Sequence, residues 1–458
     1  MIRVIARRTI PLVLLAIGLL LIAGRAGVAN QAGARLSTAR IAQHQARPKA
    51  GFESPAGGHW LATWGASMQP PTTADPVSEA SFVHATAREI VFSSIGGSEV
   101  RVRFSNAYGT TPLQIGEATV AIAGPDGSLV PGTVRQLTFG GQTSLELPPG
   151  GETFSDPVAL GVRPLSHLAV SIYLPRPTGP ATGHRGSRET NYVAGGDHVG
   201  DLSAAAYLSR IQGWYFIDGV DVMTGDRYHG AVVTFGDSIT AGARSTINAD
   251  ASWPDDLARR LAASTGPTLS VVDAGIGGNR VLDNTPCCGG SALDRFDPDV
   301  LAQTGVRDVI LLEGVNDIGF AHGSSPLTVP HTAVTAQQLI AGYQKLIAAA
   351  HAAGLRIFGA TLLPFKGAGY WTARGERVRE AVNRWVLTSG AFDGVINFAA
   401  AVADPANPQR LNPAYDSGDH LHPNDAGYRA MAGAVSIPAL LGPTSAPART
   451  PQGSRGQH

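Results

Sequence analysis

From about residue 228 onward, short apolar runs alternate with longer amphipathic ones, and this alternation restricts the fold more than any other feature of the chain. Strand candidates fall at 231–235, 269–274, 308–313, 356–363 and 394–398, and helix candidates at 252–263, 335–353, 375–388 and 426–441. Such alternation predicts a parallel sheet with helices on both faces. Ligands of open parallel sheets sit beyond the carboxyl ends of the strands, so the loops leaving those ends are where chemistry is expected. Between Trp60 and about Val222 the pattern is different. Short strand candidates at 89–95, 99–105, 118–123 and 167–174 are separated by turns such as Pro125-Asp126-Gly127 and Pro148-Pro149-Gly150. Val100-Arg101-Val102-Arg103-Phe104 alternates as a half-buried strand does, and helical periodicity is scarce, which points to an all-β sandwich or jelly-roll-like module.

The ends of the chain have a different character. Arg3, Arg7 and Arg8 precede an almost wholly apolar stretch at 10–23, followed by small residues with cleavage options ending at Ala29 or Ala34. This reads as an export signal, and hence a secreted or cell-surface protein. An uncleaved anchor is the rival reading, although the run is shorter than the roughly 20 residues that span a bilayer. The expected organisation is a signal at 1–34, a linker at 35–57, a β-sandwich at 58–227, an α/β domain at 228–442 and a disordered Pro/Ser/Gly/Arg-rich tail at 443–458. Lys+Arg and Asp+Glu are both 35, so the chain has no basic field with which to hold nucleic acid. No later segment is long and apolar enough to serve as a second membrane span. The two cysteines, Cys287 and Cys288, are adjacent, which excludes a framework of distant disulfides. They form either a vicinal ring or a reduced pair, read here as a loop feature without chemistry, and make a poor zinc site. The sequence carries no cofactor motif and no metal-ligand set, and nothing in it reports an oligomeric state.

Four loops carry residues of chemical interest. Gly236-Asp237-Ser238-Ile239-Thr240 follows the first strand candidate and presents a serine in a Gly-flanked bend. Thr240 stands where a second glycine would complete a Gly-x-Ser-x-Gly elbow, which disfavours the ordinary α/β-hydrolase turn. Such a serine needs a base to act as a nucleophile at neutral pH. Asp419-His420-Leu421-His422-Pro423 offers one. His422 lies three residues after Asp419, a spacing that brings carboxylate and imidazole together in a turn. His420 is the rival base, and Asp416 and Asp425 are rival orienters. Donors for a tetrahedral oxyanion are available in the glycine run 275–278 after the second strand candidate and in Asn316 after the third.

In this order the blocks resemble the SGNH, or GDSL-type, hydrolase family. Gly236-Asp237-Ser238-Ile239 matches the nucleophile block. Ala274-Gly275-Ile276-Gly277-Gly278, Gly314-Val315-Asn316-Asp317 and Asp419-His420-Leu421-His422-Pro423 are similar to the glycine, Gly-x-Asn-Asp and Asp-x-x-His blocks. The resemblance covers roughly residues 228–442 and implies a flavodoxin-like three-layer α/β fold. It further implies Ser238 as nucleophile, His422 as base, Asp419 as its orienter, and Ser238, Gly278 and Asn316 as oxyanion donors, with Gly277 an alternative to Gly278. It implies a serine esterase acting without cofactor or metal on a small acyl ester or an acetylated glycan. A lipase or an acyltransferase of the same fold is the alternative, and a carbohydrate-binding surface protein with an inert hydrolase domain is another. The β-module is similar to the accessory sandwich of secreted bacterial members. Its Trp60, Trp64 and Trp214 are read either as sugar-stacking residues or as core aromatics, with the core preferred.

Overall fold

The computed structural model describes residues 58–442. The expected signal at 1–34, the linker at 35–57 and the tail from 443 lie outside the described residues. Among the described residues no helix is long and apolar enough to cross a membrane.

Residues 59–224 fold into two large antiparallel sheets and two short two-stranded ribbons. One orders His59–Gly65, Ile217–Thr224, Gly97–Ser105 and Glu152–Phe154, with Val158–Val162 also pairing to Gly97–Ser105. The other runs Ser209–Ile211, Asn191–Gly195, Ala85–Ser93, Ser166–Leu174, Glu117–Ile122 and Arg135–Gln136. Val100, Val102 and Phe104 from the first sheet meet Val91, Leu168, Val170 and Ile172 from the second in one apolar core. The region is the expected β-sandwich. The alternation at 100–104 departs from expectation in one respect: its polar face is not solvated. The Arg103 guanidinium is buried, donates to Asp218 at 2.7 Å and reaches the Ala302 carbonyl at 3.1 Å. Arg101 pairs with Asp221, whose carboxylate also accepts from Thr304. That face of the sheet is covered by the second half of the molecule, so its arginines become interface groups. Trp64 is buried edge-to-face against Trp214, and Trp60 lies under the Arg101 guanidinium. Trp64 packs in the core with Trp214 against it, while Trp60 is part-exposed.

The second half is a parallel sheet with helices. We label its strands β1 (Tyr228–Gly236), β2 (Thr268–Gly275), β3 (Val306–Leu312), β4 (Arg356–Ala360) and β5 (Gly394–Ile396). Its long helices are α1 (Trp253–Ala262), α2 (Ala336–Ala352), α3 (Ala373–Thr388) and α4 (Asp425–Ala434). The strand order is β2-β1-β3-β4-β5, all parallel, which is the flavodoxin-like arrangement. Ala231, Val232, Val233 and Phe235 of β1 are fully buried, as a central strand covered on both faces requires. Ser252 starts α1 with a capping box to Asp255, and Thr335 starts α2 with one to Gln338. The helix expected over 426–441 is instead two. α4 stops at Ala434, and Ser436 caps a new short helix, Ile437–Leu441, with Pro438 in its first turn. Proline lacks the N–H that a continuous helix would need there.

Candidate active site

β1 is flanked by β2 and β3 in register, with Gly236 level with Gly275 on one side and Leu312 on the other. The three loops therefore leave the sheet at the same height, at the strand-order reversal where such folds bind ligands. Glycine is required at 236. A Cβ there would come within 2.3 Å of both the Leu312 carbonyl oxygen and Thr240 Oγ1. After it the chain turns tightly. The Asp237 carbonyl accepts from Thr240 and Ala241, and the Ser238 carbonyl from Ala243. Asp237 points inward, and burial pushes its carboxyl up to about 6 despite the Ile239 N–H it accepts. Ser238 is left half-buried.

The partner arrives from 184 residues further along the chain: Ser238 Oγ and His422 Nε2 are 2.8 Å apart. His422 Nδ1 meets Asp419 Oδ2 at 2.8 Å. The loop carrying both is closed by a bridge between Asp416 and Pro423 and by the Ser417 N–H donating to the His422 carbonyl. Asn424 then caps α4. The other Asp419 oxygen accepts the Leu421 and His422 backbone N–H groups. Burial opposes ionisation of Asp419. The hydrogen bonds from the His422 ring and backbone outweigh it and hold the carboxyl well below its ordinary range. The rival groups are engaged elsewhere. His420 is exposed and pairs through Nδ1 with Asp416 at 2.6 Å, and Asp425 accepts from the Thr246 N–H.

The loops after β2 and β3 are tied to one another. Asn316 is buried at the start of the short helix Val315–Gly319, and its Nδ2 donates one proton to the Asn279 carbonyl at 2.9 Å. Its Oδ1 accepts from the Tyr370 hydroxyl at 3.3 Å. Asp317 accepts the Val281 and Leu282 N–H groups, and burial pushes its carboxyl up to about 7. Gly278 has φ +78°, a left-handed conformation that favours glycine. The backbone N–H groups of Ser238, Gly277 and Gly278 donate to no acceptor among the described residues. One buried guanidinium joins these segments. Arg295 donates to the Gly236 and Ala274 carbonyls and to Asn279 Oδ1, and extends to Ser67 Oγ of the β-module. The sequence reading missed Arg295 and Tyr370, which stand in no local motif.

Residues 234–430 match the family model for GDSL-like lipases and acylhydrolases. The chain carries a GDSL-type acylhydrolase domain. It is a carboxylic ester hydrolase, with a β-rich region ahead of that domain. Among solved structures it is similar to Axe2, an acetylxylan esterase from Geobacillus stearothermophilus (20% identity, 45% of this chain and 92% of that one, TM-score 0.34). It is also similar to a GDSL-like lipase from Bacteroides thetaiotaomicron (19% identity, 45% and 85%, TM-score 0.33). A third is LAE5, an α/β hydrolase from the metagenome of Lake Arreo (23% identity, 46% and 95%, TM-score 0.35). No curated protein matches the chain significantly.

One cluster with metal-ligand atoms occurs among the described residues, and it shares no residue with this site. His167, Glu189 and Asp250 bring such atoms within 4.8 Å of one another where the β-module meets the loop before α1. Burial, with Asp250 beside it, pushes the Glu189 carboxyl up to about 9, and Arg259 lies against Asp250.

Proposed function

We propose that the protein is an exported serine esterase that removes short acyl groups, acetyl foremost, from an alcohol or sugar hydroxyl. The observation that carries this reading is the unbroken hydrogen-bonded line from Ser238 through His422 to Asp419. In the proposed mechanism His422 Nε2 takes the Ser238 proton as Oγ attacks the ester carbonyl. Asp419 accepts from Nδ1–H and favours the imidazolium that forms. The oxyanion is held by the N–H groups of Ser238 and Gly278 and by the second amide proton of Asn316. His422 then protonates the departing alcohol. Water attacks the acyl-serine with His422 again as base, releasing the acid. Phe320 and Tyr370 stack edge-to-face beside Gly278 and Asn316. Export rests on the sequence alone.

The test is a panel of p-nitrophenyl esters from acetyl to palmitoyl, together with acetylated xylan, assayed with and without an added alcohol acceptor. Highest kcat/KM on acetyl and butyryl esters, with acid rather than a new ester as the product, is the expected result. A preference for palmitoyl would replace this reading with a lipase, and predominant transfer to the alcohol with an acyltransferase. Tyr370 gives a finer check. Its hydroxyl, together with the Asn279 carbonyl, sets which way round the Asn316 amide faces. Tyr370→Phe is therefore expected to lower kcat about two- to tenfold, the worth of one neutral hydrogen bond, with a smaller change in KM. Unchanged kcat in that variant would show that Asn316 keeps its orientation without Tyr370.

A further inference from the structure

The Cys287–Cys288 pair is bonded, and its position is not that of an idle loop feature. Cys288 Sγ lies 2.6 Å from where a Cβ on residue 278 would stand, so the sulfur packs directly on the backbone of Gly278. Both cysteines are buried, at 6% and 2% exposure, in a small apolar cluster with Ile276 of the same glycine run and Leu327. The turn around them is fixed at many points. Cys287 N–H donates to the Leu327 carbonyl at 2.9 Å, and Cys288 N–H and Gly289 N–H donate to the Thr285 carbonyl at 3.2 and 3.0 Å. Asn279 Nδ2 donates to the Cys288 and Gly290 carbonyls at 3.4 and 2.7 Å. From the β-module, Arg185 Nη2 approaches Cys288 Sγ at 3.5 Å, and Pro70 packs on Gly289.

We propose that the Cys287–Cys288 disulfide is a positioning element of the active site, holding the Gly278 amide in place, and that opening it slows ester turnover. This rests on the proposed role of Gly278 N–H as an oxyanion donor. The physical reason is a chain of short contacts with no slack. A disulfide between neighbouring residues closes a small ring that includes the peptide joining them, so the two sulfurs and that peptide move as one body. Gly278 is seated under the sulfur, and Asn279, the next residue, is bonded to the same turn. Asn279 in turn offers the carbonyl that receives Asn316 Nδ2. Two of the three proposed oxyanion donors therefore depend on where the cysteine turn sits. A thiol or phosphine reductant delivers two electrons, and with two protons the S–S bond becomes two S–H groups. Unbonded sulfurs stand apart by van der Waals contact rather than by a bond. In a site this closed the extra room comes from residue 278 or from the turn itself.

The experiment uses the full chain in three forms: oxidised wild type, wild type reduced with tris(2-carboxyethyl)phosphine, and Cys287→Ala, in which the bond is absent whether or not a reductant can enter. Cys288→Ala is a second variant should the first fold poorly. For each form kcat and KM are measured on p-nitrophenyl acetate, reactive Ser238 is titrated with a fluorophosphonate, and Tm is recorded. The expected result is a fall in kcat per titrated serine of about tenfold, and at most the roughly 10²- to 10³-fold that loss of one oxyanion donor costs, with KM within about threefold. Reoxidation of the reduced wild type restores the rate. A Cys287→Ala or Cys288→Ala enzyme with wild-type kcat overturns the proposal. So does a loss of activity that follows only the fraction of titratable serine or the fall in Tm, since the disulfide would then be a staple and not a positioning element. Failure of the serine-esterase reading itself is distinguishable, because it appears as wild-type turnover in Ser238→Ala whatever the cysteines do.

Discussion

Replacing Ser238 with alanine is expected to lower kcat on p-nitrophenyl acetate by about a million-fold, the loss seen when a nucleophile that works as a unit with its base is removed. The substitution is clean. Among the described residues the only side-chain hydrogen bond of Ser238 is the one to His422, and its backbone contribution to the turn, the carbonyl that accepts from Ala243, is untouched. Gly236, which sets the turn, is unchanged. Tm should therefore stay within a degree or two of wild type, and the loss should lie wholly in turnover. If Ser238→Ala kept wild-type turnover, Ser238 would not be the nucleophile and the mechanism proposed above would fall with it. A residual rate above water is compatible with the mechanism, because the oxyanion donors remain in the variant.

Much of this arrangement was legible before the fold was known, for physical reasons that differ from one residue to the next. β1 is visible because a central parallel strand is apolar on both faces, and Ala231 to Phe235 leave little choice. Helices α1 and α2 are visible because Ser252 and Thr335 cap them and their apolar residues recur at helical spacing. Asp419 and His422 were legible as a pair because their contact is local, three residues apart inside one closed turn. Residues acting across the sheet were not. Arg295 lies on the short helix Ala292–Phe296, too brief to leave a periodic signal, and beyond Asp299 four residues on, its hydrogen-bond partners come from positions 67, 236, 274 and 279. Tyr370 meets Asn316 across 54 residues with no motif at its own position. Arg103 reads as a solvent-facing strand residue until the interface covering it is known. The cysteine pair was visible as a pair, but nothing local reports that its sulfur rests on Gly278.

Asp419→Asn is the second large effect and the sharper test of the proposed line. It leaves Ser238 and His422 in place and changes the atom that faces His422 Nδ1, which also accepts from the exposed Arg244 Nε at 3.2 Å. The carboxylate uses one oxygen to hold the turn through the Leu421 and His422 N–H groups and the other to accept from the ring. Asparagine can keep the first function with its carbonyl oxygen, which then turns its NH₂ toward Nδ1. The ring must accept there and carry its proton on Nε2, where it can no longer take one from Ser238. A fall in kcat of about 10⁴ is expected, with KM little changed. The stability effect has a defined sign. A carboxyl held below its ordinary range contributes stability that is present above the unfolded-state pKa of about 3.9 and is lost as pH falls through the folded value. The variant should therefore melt below wild type at pH 7, and the gap should narrow as both are taken into acid. Measuring kcat at pH 8 and Tm from pH 7 to pH 3 separates the two roles. An enzyme within tenfold of wild-type kcat, but with the Tm gap as described, would leave Asp419 as a brace for its loop and remove it from the catalytic line.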